Sequence, residues 1–236
     1  MKLSANLNFL FTEGGKPISE RIYMAHGAGF NAVEIPFPSS ELEDVLQAKE
    51  STGIQIGLIN ISLGDSKFGN GSVPNNQENF KKELKDTIEF AKKVRCTKIH
   101  IMAGLTEGDS NEHLVTYKSN LKYSANILEK EDMVGLIEPI NKYALPSYFM
   151  NSYETACSII REINSNHIRL LVDLYHLQHI TVPHRHEPDV TGELDFTYIF
   201  DLLKMIGYDG WIGCEYKPKT HTLEGLKWIK NYNIQL

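Results

Sequence analysis

Three acidic side chains stand at the ends of three short apolar runs, and each is followed by residues that break a strand. Residues 134–141 read VGLIEPIN, so Glu138 follows an apolar run with Pro139 and Asn141 behind it. Residues 168–176 read IRLLVDLYH and close on Asp173 and His176, and residues 209–218 read DGWIGCEYKP and carry Glu215. Short apolar runs of this kind read as strands buried on both faces. An unpaired carboxylate is costly to bury, so an acid there belongs where a buried strand opens into a pocket. Carboxylates can both give and take protons if their surroundings separate their pKa values. Their oxygens also suit a hard divalent cation. The plain alternatives are a structural ion pair for Glu138 and Glu215, and a helix cap or buried pair for Asp173.

Other polar residues could join them. His176 could polarise an oxygen or support a ligand, or it could be an ordinary hydrogen-bonded pocket residue. Glu34 and His100 lie in further strand-like runs and are inward-facing candidates. His176, His179, His184 and His186 invite a zinc reading. Their spacings are common, though, and only one carboxylate is close in sequence, so that reading is disfavoured. Phe9, Phe11, Trp211 and Trp228 are most simply core.

The elements that must position these residues alternate. Strands are expected at 2–10, 31–36, 54–61, 98–103, 134–139, 168–173 and 211–215. Helices are expected at 19–28, 41–51, 78–94, 110–131, 153–163, 198–206 and 223–232. Such alternation indicates an α/β fold with a parallel sheet. The units repeat along residues 1–236 with no linker, which favours a single TIM (β/α)8-type barrel over two domains. Active sites of such barrels lie at the C-terminal ends of the strands. The loop 63–77 contains GDSKFGNGS but matches no dinucleotide or P-loop pattern. It reads as a loop covering a substrate.

The barrel is one unit short. From Asp173 to Glu215 the chain offers one convincing helix, where two βα units would be needed, so about seven clear strands are expected. Residues 177–182 could be β-like, but a parallel neighbour needs a crossover of a dozen or more residues. A strand directly after 168–173 has none.

Composition narrows the function classes. The chain has 236 residues, 42% of them hydrophobic, and a formal net charge of -6. That is enough apolar material for a core. The acidic balance and the lack of a basic tract argue against nucleic-acid binding. No apolar run is long enough to span a bilayer. Cys96, Cys157 and Cys214 show no CxxC spacing and read as buried free thiols in a reducing compartment, with the cytoplasm as the default. The N-terminus reads as a first strand rather than a signal peptide.

The segments SANLNFLF, LIEPIN, DLYHLQ, PHRHEP, GEL and GCEYKP, with the loop residues Gly64, Asp65, Gly69 and Pro74, occur in an order that resembles the hydroxypyruvate isomerase family. The likeness covers essentially the whole chain. It implies a xylose-isomerase-like TIM barrel that interconverts hydroxypyruvate and tartronate semialdehyde. It further implies that Glu138 and Glu215 transfer the proton, and that both bind a divalent metal, Mg or Mn, together with Asp173 and a glutamine. His184 and Arg185 would bind the substrate carboxylate, which a guanidinium grips well. The chain departs from the family where its strand count falls short: DLYHLQHI runs almost directly into VPHRHEP. The sixth helix and seventh strand look excised near 180–181, and the glutamine has no counterpart. Gln178 matches a different position. Three functions follow as expectations: the isomerase or another sugar-acid isomerase or epimerase of the superfamily, a crippled or non-catalytic interaction isoform, and a phosphodiester hydrolase.

Overall fold

A computed structural model of the chain describes residues 1–108, 110–178, 185–189 and 191–236. The junction near 180–181, His179 and His184 lie outside the described residues. The chain forms two compact units, Met1–Gly57 with Pro183–Leu236, and Leu58–Val182. They are called unit 1 and unit 2 below.

Unit 1 contains β1 (Lys2–Asn6), β2 (Ala32–Ile35) and β7 (Trp211–Cys214). They run parallel in the order β2-β1-β7. β1 ends earlier than its apolar run. The side chain of Asn6 accepts from the N–H of Asn8, and its carbonyl accepts from Phe9 and Leu10, which turns the chain out of the strand. Helices α1 (Ile18–Gly27) and α2 (Leu42–Thr52) follow β1 and β2. α2 stops at Gly53, whose φ of 71° is the left-handed conformation that closes a helix.

Unit 2 takes the end of β3 (Gln55–Asn60), then α3 (Gln77–Val94), β4 (Lys98–His100), α4 (Ser110–Lys130), β5 (Val134–Ile137), α5 (Tyr153–Ile163), β6 (Ile168–Leu170) and a one-turn α6 (Leu174–Leu177). Its strands are parallel in the order β6-β5-β4-β3. α3 is strongly amphipathic, and Phe80, Leu84, Ile88, Ala91 and Val94 are buried at helical spacing. Gly135 sits where β5 passes Ile101, Leu128 and Ile168, and a Cβ there would lie 2.5 Å from Ile101. Unit 1 also holds α7 (Phe196–Met205), α8 (Thr222–Gly225) and α9 (Trp228–Asn231).

Seven parallel strands alternate with helices, an α/β fold of the TIM-barrel type with the number of strands the sequence suggests among the described residues. Some expectations change. The helix expected at 223–232 is two short helices, with Gly225 packed against the Glu187 carboxylate at the break. Phe11 and Trp228 are buried, but Phe9 and Trp211 are only half-buried. The Phe9 ring lies under the Arg185 guanidinium and Trp211 under the Lys2 ammonium, at 4.7 and 5.8 Å. Cys96 and Cys214 are buried free thiols, while Cys157 is half-buried. No helix among the described residues is long and apolar enough to cross a membrane.

The loop 63–77 is fastened to unit 2 over its second half. The N–H groups of Gly71 and Ser72 donate to the carbonyls of Met102 and Ala103 at 3.2 and 2.6 Å. Asn70 donates to Glu83 at 2.6 Å. Gly64, Asp65 and Lys67 lie at its tip, where all three are exposed.

Candidate active site

Glu138 is the first residue past β5, Asp173 follows β6, and Glu215 is the first residue past β7, so all three expected acids occupy C-terminal strand ends. In unit 2, Glu138 is buried, 6% exposed. Pro139 behind it supplies no N–H and lets the chain leave the sheet. Asp173 caps α6, its Oδ1 accepting from the Tyr175 N–H at 2.8 Å. The Tyr153 hydroxyl fixes the same residue from the other side: it donates to the Asp173 carbonyl and accepts from the Asp173 N–H, at 3.1 and 3.2 Å. The cap expected as an alternative to a ligand role for Asp173 is therefore real, and it leaves Oδ2 turned toward His176.

One donor atom each from Glu138, Asp173 and His176 lie within 4.8 Å of one another. This is a set of oxygen and nitrogen donors of the type that suits a divalent cation. His100 Nε2 stands 3.6 Å from Glu138 Oε2. That contact is not an ion pair. Burial, reinforced by His176 nearby, pushes the His100 pKa down to about 4, so its imidazole is neutral near pH 7. Tyr148 and Tyr153 are held protonated, mainly by burial and further by the Glu138 charge.

In unit 1, Glu215 accepts from Arg185 and, at 3.1 Å, from Asn6 Nδ2. The same Asn6 amide reaches Glu34 Oε2 at 3.3 Å, and Ser4 donates to Glu34 Oε1 at 2.7 Å. Because Asn6 Oδ1 accepts from a backbone N–H, its NH2 must face the two carboxylates. Glu34 also occupies the space a side chain at Gly213 would take: a Cβ there would fall 2.5 Å from Glu34 Oε2. Arg185, expected on a substrate carboxylate, is engaged with Glu215 and Phe9. His186 bonds the Lys217 carbonyl at 2.8 Å.

The structure therefore brings Glu138, Asp173, His176 and His100 together in unit 2, and Glu34, Glu215 and Arg185 in unit 1. Asn6, Asn141 and Tyr153 were not singled out from the sequence. Asn6 and Asn141 stand in the segments SANLNFLF and LIEPIN, at or just past a strand end, where an amide can cap a turn and still reach an acid or an imidazole. Tyr153 carried no signal.

Parallel βα units with acids just past the strand ends define a class, and the chain belongs to it: it is a member of the xylose isomerase-like TIM barrel family, whose model matches residues 22–182 and 179–232. Within that family the similarity is to isomerases. A Drosophila melanogaster protein named "Putative hydroxypyruvate isomerase" is 47% identical over 262 aligned positions, covering 100% of this chain and 99% of the relative. The Escherichia coli protein named hydroxypyruvate isomerase is 32% identical, with 98% and 99% covered. A 2-oxo-tetronate isomerase from Cupriavidus necator is 33% identical, with 98% of each covered. Among solved structures, one titled AP endonuclease, family 2, from Brucella melitensis superposes with a TM-score of 0.88 at 29% identity, covering 98% of both chains.

Proposed function

We propose that this chain is an isomerase of small hydroxy-keto acids, interconverting hydroxypyruvate and 2-hydroxy-3-oxopropanoate (tartronate semialdehyde). The observation that carries the reading is the buried Glu138 carboxylate beside Asp173 at the strand ends of unit 2, in a chain similar over its length to a hydroxypyruvate isomerase. In the reaction a base removes a proton from C3 of hydroxypyruvate, giving an enediolate. An acid then delivers a proton to C2, and the hydroxyl proton passes from the C3 oxygen to the C2 oxygen, so the atoms balance. Glu138 and Glu215 are assigned the two carbon-proton transfers. Their surroundings differ: Glu138 lies beside a neutral imidazole, and Glu215 beside a guanidinium.

Glu138 and Asp173 would hold a divalent cation, Mg or Mn, with Glu215 the further ligand that the resemblance implies. When bound, such an ion supplies positive charge for the developing enediolate. Tyr153 fixes the Asp173 backbone, and Asn6 orients Glu215. His176 and Arg185 are the described candidates for substrate contact, and His184 remains a candidate on the sequence alone.

The short form adds a second reading. The family match falls into two segments that meet at 179–182, and the Drosophila alignment spans 262 positions against 236 residues here. Both support the loss of one helix–strand unit. Closing a barrel links strand number to shear, so the loss is expected to cripple turnover. The Arg185–Glu215 pair also favours a non-catalytic interaction protein, since it occupies one of the two acids.

Incubation of the purified chain with hydroxypyruvate and Mg2+ or Mn2+ decides between them. Formation of tartronate semialdehyde that Glu138→Gln abolishes supports the isomerase. Turnover of 2-oxo-tetronate alone moves the substrate within the same class. A folded protein inactive on both is the non-catalytic form.

A further inference from the structure

His176 faces two donors. The backbone N–H of Asn141 points at His176 Nδ1 at 3.3 Å, and the Asn141 side-chain nitrogen stands 3.2 Å from the same atom. The orientation of that amide is not free. Asn141 Oδ1 accepts from the N–H groups of Tyr143 and Ala144, at 3.1 and 2.9 Å, so the NH2 end must face the imidazole. A backbone N–H can only donate. Nδ1 must therefore present its lone pair, and the single proton of a neutral imidazole sits on Nε2. Nε2 is the nitrogen on the Asp173 side, 3.6 Å from Oδ2.

A histidine that binds a metal is arranged the other way round. Its second nitrogen usually donates an N–H to a carboxylate or carbonyl, which leaves the lone pair of the ligating nitrogen for the ion. Here the outer nitrogen meets donors. We propose that Asn141 is a positioning residue that holds His176 as the Nε2–H tautomer, so that His176 enters the Glu138–Asp173 cluster as a hydrogen-bond donor and not as a metal ligand. The metal clause rests on the function proposed above. The tautomer clause stands on the Asn141 geometry alone.

Long-range 1H–15N NMR of the full-length labelled chain reads the tautomer, with His176 assigned by its loss in His176→Gln. The metal-free protein is expected to show a pyridine-like Nδ1 and a pyrrole-like Nε2. Addition of Zn2+, the ion most prone to take an imidazole, is expected to leave that pattern in place. Asn141→Asp, which puts an acceptor of the same shape against Nδ1, is expected to populate the Nδ1–H form. A pyrrole-like Nδ1 in the wild-type chain overturns the proposal, as does metal-bound Nε2 after Zn2+ addition. An unchanged pattern in Asn141→Asp removes Asn141 from the role. A chain that shows the Nε2–H tautomer yet binds no cation and turns over no substrate keeps the Asn141 assignment and defeats the isomerase reading instead.

Discussion

Glu215 and Glu138 occupy the same position relative to their strands, yet unit 1 and unit 2 treat them differently. In unit 1, Glu215 has a counter-charge in Arg185 and an oriented amide in Asn6, and Glu34 is held by Ser4 and the same Asn6. In unit 2, Glu138 is more deeply buried, and the imidazole beside it is kept neutral by its own burial. A carboxylate paired with a guanidinium is already compensated, and its removal leaves a partly buried cation behind. A carboxylate beside a neutral histidine and a second carboxylate is placed to interact with an incoming cation. The contrast gives Glu215 a part in stability beside its proposed proton transfer, while Glu138 is proposed for binding and chemistry alone.

Glu138→Gln puts the largest effect on one side of that contrast. Isomerase turnover is expected to fall by about 100- to 10,000-fold, the usual worth of a general acid or base, with little loss of melting temperature. Arg185→Met tests the other side. It breaks a pair whose side chains are 12% and 27% exposed, so the cost is set below that of a fully buried pair, at roughly 2–3 kcal/mol in denaturant unfolding. If Arg185→Met left stability unchanged while Glu138→Gln lowered it, the two units would have exchanged roles and the comparison would be wrong.

The parallel α/β class and the acids at the strand ends were legible because buried strands leave short apolar runs, and because Glu138, Asp173 and Glu215 interrupt them. Strand ends were less legible. The apolar run of β1 continues to Leu10, but Asn6 spends its carbonyl and side chain on the turn and ends the strand early. Pairing was not legible at all. Nothing in the sequence says that Arg185 meets Glu215, residues 30 positions apart, or that Asn141 addresses His176 across 35. The loop 63–77, whose length suggests a cover for substrate, is tied to β4's exit by backbone bonds, which composition cannot show.

That loop gives a smaller test, confined to unit 2. A Cβ at Gly71 would lie 2.7 Å from the Met102 carbonyl oxygen and 3.0 Å from the Tyr117 ring, so neither backbone nor core can easily give way. Gly71→Ala is expected to cost about 1–3 kcal/mol in unfolding. It is also expected to weaken any cation binding that depends on Glu138, while Gly213→Ala, whose clash is with the Glu34 carboxylate that Ser4 and Asn6 hold, strains unit 1 instead.

The smallest expected effect concerns Glu83, a buried acid that neither candidate cluster uses. Its Oε1 accepts from Asn70, and Gly64 passes directly over it. Burial raises its pKa above the ordinary 4.5, with Asp65 and Asp86 adding to the rise and Asn70 and Lys82 opposing it. The native chain therefore keeps this proton at a pH where the unfolded chain has released it. The Glu83 contribution to stability is complete below about pH 4.5 and is lost as pH climbs through the raised native value. Glu83→Gln keeps an acceptor for Asn70 and cannot ionise. Relative to wild type, the variant should gain stability on going from acidic to neutral pH, by about 1.4 kcal/mol for every tenfold by which the native carboxylate binds its proton more tightly than the unfolded one. Unfolding curves at a series of pH values check the sign: a variant that loses ground to wild type as pH rises would mean that ionised Glu83 is stabilised in the loop, and that the fastening of 63–77 runs on charge rather than on the amide bond to Asn70.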